Sequence, residues 1–345
     1  MIGRIIFYVY LFSILSIVIS DTQCPNPTSY DDRRRNKNKF RFVQYNTEWL
    51  FVDYCSSSQC PGSGCPWENT TEAETHLEYV STVIYDLNPD IINICEVEGC
   101  DELQLLIVDK NTNTNEYIPY LVKGTDTSTG QNVGMLTKID PIISLYRTEE
   151  RVSYPIPNST CGYTGSPSTS GVSKHYITEM IINGIDIAVI GTHLLAFPTD
   201  VQRCAQREAQ AQVLQNVIIQ YIKKGVEIIV SGDLNDFDGE ILDANNNKPL
   251  SSVLDIFKGL AGTYKNGYTL YSVNEYMKKS MIYSDWWDKN GDCVSSSTEF
   301  SMIDHILVSK YLFDSIENVF VYQNYSEFCG TYNSDHYPLV VDFLF

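Results

Sequence analysis

Polar side chains that could carry out chemistry follow several apolar, strand-like runs of the sequence. Asn46 and Glu48 come after the run 40–45, and Glu96 comes after the run 91–95. Strand ends are often turns, so each residue alone has an ordinary structural explanation. Six endings that combine carboxylates, carboxamides and imidazoles instead favour a polar floor where the strand ends meet. The other members of this set are His193, Asp233, Asn235, Asp304, His305, Asp335 and His336.

These residue types are the ones that metal-assisted hydrolysis of a phosphoester requires. Carboxylates supply the oxygen ligands of a divalent cation. An imidazole oriented by a carboxylate serves as a base near neutral pH, and amides or a second imidazole donate to phosphate oxygens. The sequence contains no Walker A loop, no nucleophile elbow, no zinc-protease helix motif and no dinucleotide-binding glycine motif. A metal-dependent hydrolase is therefore the enzyme class that the residues favour.

Short β-rich runs and helical patterns alternate along the chain and must position these side chains. No linker, repeat or low-complexity tract interrupts them, so we predict one α/β domain over residues 40–345. Apolar spacing predicts helices at 72–87 and 201–224. The predicted strands are 40–45, 91–95, 133–137, 176–182, 185–192, 226–231, 303–308, 319–322 and 339–343.

Composition and charge limit the function. The chain has 345 residues, of which 43% are hydrophobic and 19% charged, so it buries a sizeable core and is not disordered. Its formal net charge of −19 argues against a long groove that grips nucleic acid by phosphate neutralisation alone. A carboxylate-rich metal site acting on a phosphate remains compatible, because a bound cation reverses the local charge.

The first twenty residues have the layout of a signal peptide. Arg4 is their one charged residue, the stretch 5–19 is apolar, and small residues precede Asp21. We therefore predict cleavage after residue 20 and a secreted protein, with an uncleaved membrane anchor as the alternative. Residues 21–39 form a charged leader, which we predict to be a solvated linker.

Cysteines and sequons agree with secretion. All ten cysteines follow residue 20, and an even number in a secreted chain predicts a disulfide framework whose connectivity the sequence leaves open. Zinc at Cys55, Cys60 and Cys65 is disfavoured, because the spacing is wrong and no histidine lies nearby. N-glycosylation sequons begin at Asn69, Asn158 and Asn324 in predicted loops.

The ordered set of motifs resembles the signature boxes of the endonuclease/exonuclease/phosphatase superfamily. Together the boxes span residues 40–345 in the order found in that family. The resemblance implies a four-layer α/β sandwich, in which two packed, mostly antiparallel β-sheets are flanked by helices, and hydrolysis dependent on Mg²⁺ or Mn²⁺. The boxes are Asn46-Thr47-Glu48-Trp49-Leu50-Phe51, Glu96-Val97, Gly191-Thr192-His193, Gly232-Asp233-Leu234-Asn235, Ile303-Asp304-His305 and Ser334-Asp335-His336.

The resemblance also implies a metal-ligand set. Glu96 occupies the position of the main metal ligand, and Glu48 stands where related enzymes carry a second acidic ligand. Asp335 is similar to the acidic residue at a further metal position, and Asn46 would support these ligands.

The same boxes imply catalytic roles. His336 resembles the general base, with Asp304 as the carboxylate that orients it. Asp233 and Asn235 would hold the nucleophile, the phosphate or a second cation. His193 resembles the second catalytic histidine of secreted deoxyribonucleases and sphingomyelinases, which contacts the phosphate or the leaving group.

The branch of the family is less defined than the family itself. Secretion and His193 favour an extracellular deoxyribonuclease-like nuclease, with a sphingomyelinase-like lipid phosphodiesterase as the alternative. Trp286 and Trp287 would be a membrane wedge in the lipid case, against the ordinary interpretation of a packed loop. Gln131 departs from the acid that deoxyribonucleases pair with the second histidine, which weakens a proton-donor role for His193. A catalytically inactive binding module is disfavoured, and we expect a monomer without an obligate protein partner.

One further segment resembles a calcium-binding loop. Residues 288–299 nearly match the twelve-residue pattern, but Cys293 replaces the glycine that makes the sharp turn. An acidic surface turn pinned by a Cys293 disulfide is therefore favoured over structural Ca²⁺. The candidate ligands are Asp288, Asn290, Asp292, Ser296 and Glu299.

Overall fold

The computed structural model of the protein describes residues 23–52, 65–108, 116–324 and 333–345. The predicted signal peptide and Cys55, Cys60 and Cys329 lie outside the described residues. The strands are β1 (Lys39–Leu50), β2 (Ile91–Val97), β3 (Ile118–Leu121), β4 (Asn132–Thr137), β5 (Val152–Tyr154), β6 (Ser168–Ser170), β7 (Lys174–Ile182), β8 (Ile185–His193), β9 (Glu227–Asp233), β10 (Tyr271–Ser272), β11 (Asp285–Trp286), β12 (Phe300–Ser301), β13 (Asp304–Val308), β14 (Ile316–Val321) and β15 (Leu339–Leu344). The helices are α1 (Thr70–Leu87), α2 (Cys100–Val108), α3 (Val201–Lys224), α4 (Val253–Lys258), α5 (Lys310–Asp314) and two 3₁₀ turns, Val273–Tyr276 and Lys279–Met281.

Two large sheets organise the described chain. The six-stranded sheet has the order β14-β15-β1-β2-β4-β3, and the five-stranded sheet has the order β10-β13-β9-β8-β7. One pair in each sheet is parallel, β1 with β2 and β8 with β9, and the remaining pairs are antiparallel. All predicted strands and both predicted helices are present, with differences at their ends.

Alternation along the strands divides the core into three layers. On β1, Phe42 belongs to the cluster between the sheets, whereas Val43 belongs to the cluster that β1 and β2 share with α1 and α2. On β9, Ile229 faces the space between the sheets, and Val230 faces α3 and α4. The side-chain period of two in a strand produces this division. The predicted four-layer sandwich of two mostly antiparallel sheets flanked by helices is confirmed.

The described part of the charged leader is packed against the domain. Arg33 donates both arms of its guanidinium to the Asp140 carboxylate, at 2.8 and 2.6 Å. Arg34 is 3% exposed and pairs with Asp32, and Cys24 forms a disulfide with Cys100. The prediction of a solvated linker is therefore wrong for these residues, because bidentate arginine pairs and a disulfide fix the segment to the sheet.

The cysteines pair only in part as expected. Cys161 and Cys204 form a second disulfide. Cys65 and Cys293 are each disulfide-bonded as well, in bonds that extend beyond the described residues. Cys95 is a free thiol buried on β2, with its Sγ 3.6 Å from the carbonyl oxygen of Thr192. The predicted disulfide framework is therefore present, and Cys95 stays outside it, because its side chain points into the layer between the sheets, where it behaves as a small apolar side chain.

No helix in the described ranges is both long enough and apolar enough to cross a bilayer.

A buried arginine fixes the segment that joins β8 to α3. Arg207, on α3, is fully buried and forms an ion pair with Asp236, with 3.1 Å between Nε and Oδ2. Its two Nη atoms donate hydrogen bonds to main-chain carbonyl oxygens of the segment 194–198. We call this segment the β8–α3 loop. The carbonyl oxygens that accept from Arg207 are those of Leu195, Ala196, Phe197 and Pro198.

Replacing Arg207 should therefore destabilise the whole domain. Arg207→Met leaves the buried Asp236 carboxylate without its cation, so we expect a loss of about 3–5 kcal/mol in the free energy of unfolding. Denaturant unfolding under non-reducing conditions measures this loss. Lys223→Met, an exposed change on the same helix, is the control and should stay within about 0.5 kcal/mol of the wild type. Equal stabilities of the two variants would contradict the role assigned to Arg207.

Candidate active site

The ends of three neighbouring strands bring the first group of polar side chains together. In the sheet register, His193 at the end of β8 is opposite Asp233 on β9, and Asp233 is opposite Asp304 on β13. Asp233 reaches across to the other sheet, where its Oδ2 accepts from Nδ2 of Asn46 at 3.0 Å. The polar floor predicted from the sequence is therefore formed between the two sheets.

Bulged backbone directs two glutamates toward this floor. The pairing of β1 with β2 shifts register after Asn46, and Glu48 (φ 48°) and Glu96 (φ 67°) both have left-handed backbone. Bulges and non-glycine residues with positive φ concentrate at functional sites, where they re-aim side chains. Glu96 accepts from Nδ2 of Asn46 at 3.3 Å and from the amide of Trp49 at 3.1 Å. The Glu48 carboxylate accepts from the amide of Asp335 at 3.1 Å.

The predicted base and its orienting carboxylate are in direct contact. Nδ1 of His336 lies 2.6 Å from Oδ2 of Asp304. Asp304 is fully buried, and its carboxylate also accepts from Oγ of Ser284 (2.8 Å) and Nε2 of Gln44 (3.0 Å). Because Asp304 accepts the proton of Nδ1, Nε2 is the ring nitrogen that remains for chemistry.

Asp285 belongs to the site and was missed by the sequence analysis. Its Oδ1 is 3.7 Å from Nε2 of His336, and Oδ1 of Asp335 is 3.8 Å from the same nitrogen. These three residues each offer a ligand atom, and those atoms lie within 4.8 Å of one another. Strand β11 is two residues long and shows no alternation, so the sequence carried no signal for it. Its bridge to His336 brings Asp285 into place.

The site concentrates negative charge with little compensation. Burial, followed by the Asp304 charge, raises the pKa of Asp233 to about 8. Burial also raises the pKa of Asp335 to about 7, with Asp285 and Glu96 adding to the effect of burial. In the part of the chain that the structure describes, no lysine or arginine pairs with Glu96, Asp233 or Asp335. A dense set of oxygen donors without a partner cation is what a hard divalent cation binds, so these residues fit Mg²⁺ or Mn²⁺.

The pKa values of the two histidines shift in opposite directions. Burial acts to lower the pKa of His336, but the Asp304 and Asp335 charges outweigh burial and hold this pKa well above its usual value. Burial and the nearby Lys174 charge hold the pKa of His193 well below its usual value. His193 is therefore a neutral imidazole, with Nε2 3.5 Å from Oδ2 of Asp233.

A lysine, Lys174, lies beside His193. The family resemblance instead leads us to expect an acid that pairs with this histidine. Lys174 is opposite His193 in the β7–β8 register, and its Nζ donates to Oε1 of Gln131 at 3.1 Å. Among the described residues, Nδ1 of His193 has no hydrogen-bond partner. This arrangement favours donation of a hydrogen bond by neutral His193 over proton transfer from a charged imidazole.

Asn235 joins the site to the β8–α3 loop. Its amide donates to Oδ1 of Asp233 at 2.9 Å, and its Nδ2 donates to the carbonyl oxygen of Leu194 at 3.2 Å. Asn235 has left-handed backbone (φ 49°), as Glu48 and Glu96 do. Its side chain therefore fixes the start of the loop against the floor of the site.

The remaining histidines have structural contacts. Nε2 of His76 lies 2.6 Å from the carbonyl oxygen of Thr47, and Nε2 of His305 lies 2.9 Å from that of Asp236. Nε2 of His175 accepts from a backbone amide. None of these side chains is among the polar groups that meet between the sheets.

The two tryptophans considered as a membrane wedge differ in burial. Trp286 is 2% exposed and packs in the cluster between the sheets, whereas Trp287 is 67% exposed. The packed-loop interpretation holds for Trp286, because its strand β11 pairs with β12 and buries the indole, and the wedge alternative is left with Trp287.

The carboxylates of the candidate calcium loop are bonded within the loop. Asp288 accepts from the amides of Gly291 (2.8 Å) and Cys293 (3.0 Å), and Asn290 and Asp292 accept from amides two residues onward. Glu299 accepts from the amide of Ser296 (3.1 Å). These contacts are those of an acidic turn, and structural Ca²⁺ at this loop stays a prediction.

Comparison with known proteins gives no match by sequence but several by structure. No protein-family model and no curated protein matches the chain. A 3′-5′ exonuclease from Neisseria meningitidis aligns with a TM-score of 0.54 at 15% identity, over 89% of this chain and 100% of that chain. An AP endonuclease from Archaeoglobus fulgidus aligns with a TM-score of 0.55 at 13% identity, over 88% and 99% of the two chains.

A third solved structure carries the family description itself. It is an endonuclease/exonuclease/phosphatase family protein from Bacteroides thetaiotaomicron, with a TM-score of 0.53 at 15% identity over 89% of this chain and 95% of that chain. The three alignments cover 88–89% of this chain. The chain therefore has the fold of the endonuclease/exonuclease/phosphatase superfamily, as the ordered motifs of its sequence indicate.

Proposed function

We propose that the protein is a secreted, divalent-metal-dependent phosphodiesterase that cleaves nucleic acid with a water molecule activated by His336. The observation that carries this proposal is the 2.6 Å contact between Nδ1 of His336 and Oδ2 of Asp304. It leaves Nε2 among the carboxylates of Asp285 and Asp335. A buried carboxylate behind an imidazole, and a cluster of oxygen donors in front of it, are the parts that hydrolysis of a phosphodiester needs.

His336 acts on the proton of the attacking water. Neutral His336 accepts that proton at Nε2 as the water oxygen attacks phosphorus, and the bond from phosphorus to the leaving oxygen breaks. A cation held by Asp335 would offset one of the charges that raise the pKa of His336, and so favour the neutral imidazole. Asp304 keeps the imidazole in the required tautomer and stabilises the imidazolium that forms. Ser284 and Gln44 hold the Asp304 carboxylate, so the orientation of the base is fixed before substrate binds.

Glu48, Glu96 and Asp335 would hold the metal, with Asn46 bonded to Glu96. The bound ion supplies charge stabilisation to the phosphate oxygens. Asp285 adds a further carboxylate, with Oδ1 3.7 Å from Nε2 of His336. Without a cation, the charges of these carboxylates would repel the phosphate. The site therefore needs a bound cation to accept a phosphodiester.

His193 is placed to bind the phosphate, with Asn46 beside it. Nε2 of His193 lies 3.9 Å from Oε1 of Glu96, next to the proposed metal ligands. A neutral imidazole donates a hydrogen bond to the charge that grows on the phosphate oxygens, while Nδ2 of Asn46 donates to Asp233 and Glu96 and fixes these carboxylates. Asp233 contacts both side chains and so holds them in one place.

Structural neighbours favour nucleic acid as the substrate. The exonuclease and the AP endonuclease both act on nucleic acid by description, and a Neisseria 3′ phosphatase that aligns with a TM-score of 0.56 is bound to a product DNA hairpin. The lipid alternative keeps one supporting feature, the exposed Trp287 indole beside β11. Secretion is supported by the signal-peptide pattern and is compatible with the disulfides.

The first test of the proposed function concerns the general base. His336→Ala and Asp304→Asn should each lower kcat by about 10²- to 10⁴-fold, because the water loses its proton acceptor or the acceptor loses its tautomer. Steady-state cleavage of single-stranded DNA and of bis-p-nitrophenyl phosphate measures the loss. Asp314→Asn, an exposed change on α5, is the control. Near-native activity of a folded His336→Ala protein would exclude His336 as the base.

The second prediction concerns the metal. Glu96→Gln keeps the size of the side chain and removes one charge, so the Mg²⁺ concentration for half-maximal activity should rise about 10-fold or more, with little change in stability. EDTA should abolish wild-type activity, and Mg²⁺ or Mn²⁺ should restore it. If Glu96→Gln changed neither the Mg²⁺ requirement nor the maximal rate, Glu96 would not be a ligand.

The third prediction separates the substrate classes. Wild-type protein should cleave DNA or RNA and leave sphingomyelin in phosphatidylcholine vesicles intact. Trp287→Ala should not change nuclease activity, because the exposed indole has no role in this reaction. Hydrolysis of sphingomyelin without nuclease activity, lost in Trp287→Ala, would replace the nuclease proposal with the lipid alternative.

A further inference from the structure

The β8–α3 loop exposes an aromatic side chain in an unfavourable backbone conformation. Phe197 is 61% exposed, and its φ of 70° places a non-glycine residue in the left-handed region. Left-handed backbone at such a residue is strained and persists only where the surroundings impose it. Such an outlier, with a phenyl ring held in solvent, is a reason to look for a function.

The loop is rigid and continuous with the active site. It follows His193 directly, and the Leu194 amide donates to the carbonyl oxygen of Asp233 at 3.0 Å. Arg207 fixes the rest of the loop, because its buried guanidinium donates hydrogen bonds to four consecutive carbonyl oxygens. Phe197 is four residues from His193, so the two Cα atoms are separated by at most about 14 Å.

A cation is stacked on the exposed ring. The guanidinium carbon of Arg203, in the first turn of α3, lies 4.8 Å from the ring centroid of Phe197. In the described ranges, the side chain of Arg203 forms no ion pair, although the chain carries a net charge of −19. An unpaired guanidinium on an acidic protein, next to a site for phosphodiesters, offers charge complementarity to a nucleic-acid backbone.

We propose that Phe197 and Arg203 form a stacking platform for a nucleobase of the substrate strand next to the scissile phosphate. The base stacks on the Phe197 ring, and Arg203 contacts a phosphate of the same strand. Aromatic rings combined with arginine are the usual means of holding single-stranded nucleic acid without reading its sequence. The inference rests on the proposed nuclease function and adds a determinant of substrate class to it.

A nucleobase suits this loop better than a membrane does. Phe197 is the one large apolar side chain that the loop exposes, because Leu194 is fully buried and Leu195 is half-buried. Membrane insertion scales with the apolar area that is buried, whereas one ring is enough to stack with one base.

The test compares two backbones that differ only in their bases. One substrate is a single-stranded oligothymidylate, and the other is the same phosphodiester backbone built from abasic tetrahydrofuran units. Phe197→Ala should raise KM for the oligothymidylate about 10- to 100-fold and leave kcat/KM for the abasic backbone unchanged. Phe197→Tyr should retain wild-type values. Tyr311→Ala, which removes an exposed ring on α5, is the matched control.

The outcomes separate this inference from the proposed function. An active wild type with an unchanged Phe197→Ala variant would overturn the platform alone, as would equal losses on both backbones. Loss of binding to phosphatidylcholine–sphingomyelin vesicles in Phe197→Ala, without an effect on oligothymidylate, would assign the ring to a membrane and overturn the platform. A wild type that cleaves neither DNA nor RNA would overturn the nuclease function and the platform together.

Discussion

The contact between His336 and Asp304 joins the two sheets, and the arrangement of the site depends on it. His336 precedes β15 of the six-stranded sheet, and Asp304 begins β13 of the five-stranded sheet. Asp304 is fully buried, so its charge would be costly without its partners. Gln44 donates to it from β1, and the amides and hydroxyl groups around Gln44 complete a polar layer between the sheets. A shift of either sheet would therefore break the contact that fixes the base.

Close approach of the sheets makes this polar layer specific. A Cβ on Gly191 would lie 2.2 Å from Oδ1 of Asn93 and 2.3 Å from the ring of Tyr176, so only glycine fits there. The bulges on β1 and β2 lie at the same end of the sandwich and give Glu48 and Glu96 their left-handed backbone. The packed strands on either side hold these strained conformations in place. Strand ends can therefore fix the acidic side chains more precisely than loops could.

Most of the fold and much of the site could be predicted from the sequence, and the exceptions have physical causes. Strands such as β8 and β9 alternate strongly, so their ends at His193 and Asp233 were visible in the pattern. The direction of Glu96 was not visible, because a bulge at a non-glycine residue leaves no sequence signature. Asp285 was missed because β11 exists only through its pairing with β12 and its bridge to His336. The packing of the charged leader was not predicted, because a run of arginines is usually solvent-exposed and the sequence does not show that Asp140 lies beside Arg33 in the fold.

If the protein acts on nucleic acid as proposed, an acidic chain must bind a polyanion, and the charges around the candidate site bear on how it could do so. Burial, and after it repulsion between the carboxylates, raises the pKa of Asp233 and of Asp335. Among the described residues, two cations lie near this end of β8: Lys174 is opposite His193 in the sheet register, and Arg203 contacts the ring of Phe197 in the loop that follows His193. Attraction for a strand of nucleic acid is therefore confined to short range, at the metal ligands and these two side chains. Such a protein would hold a few nucleotides near the scissile bond and would not grip a long duplex.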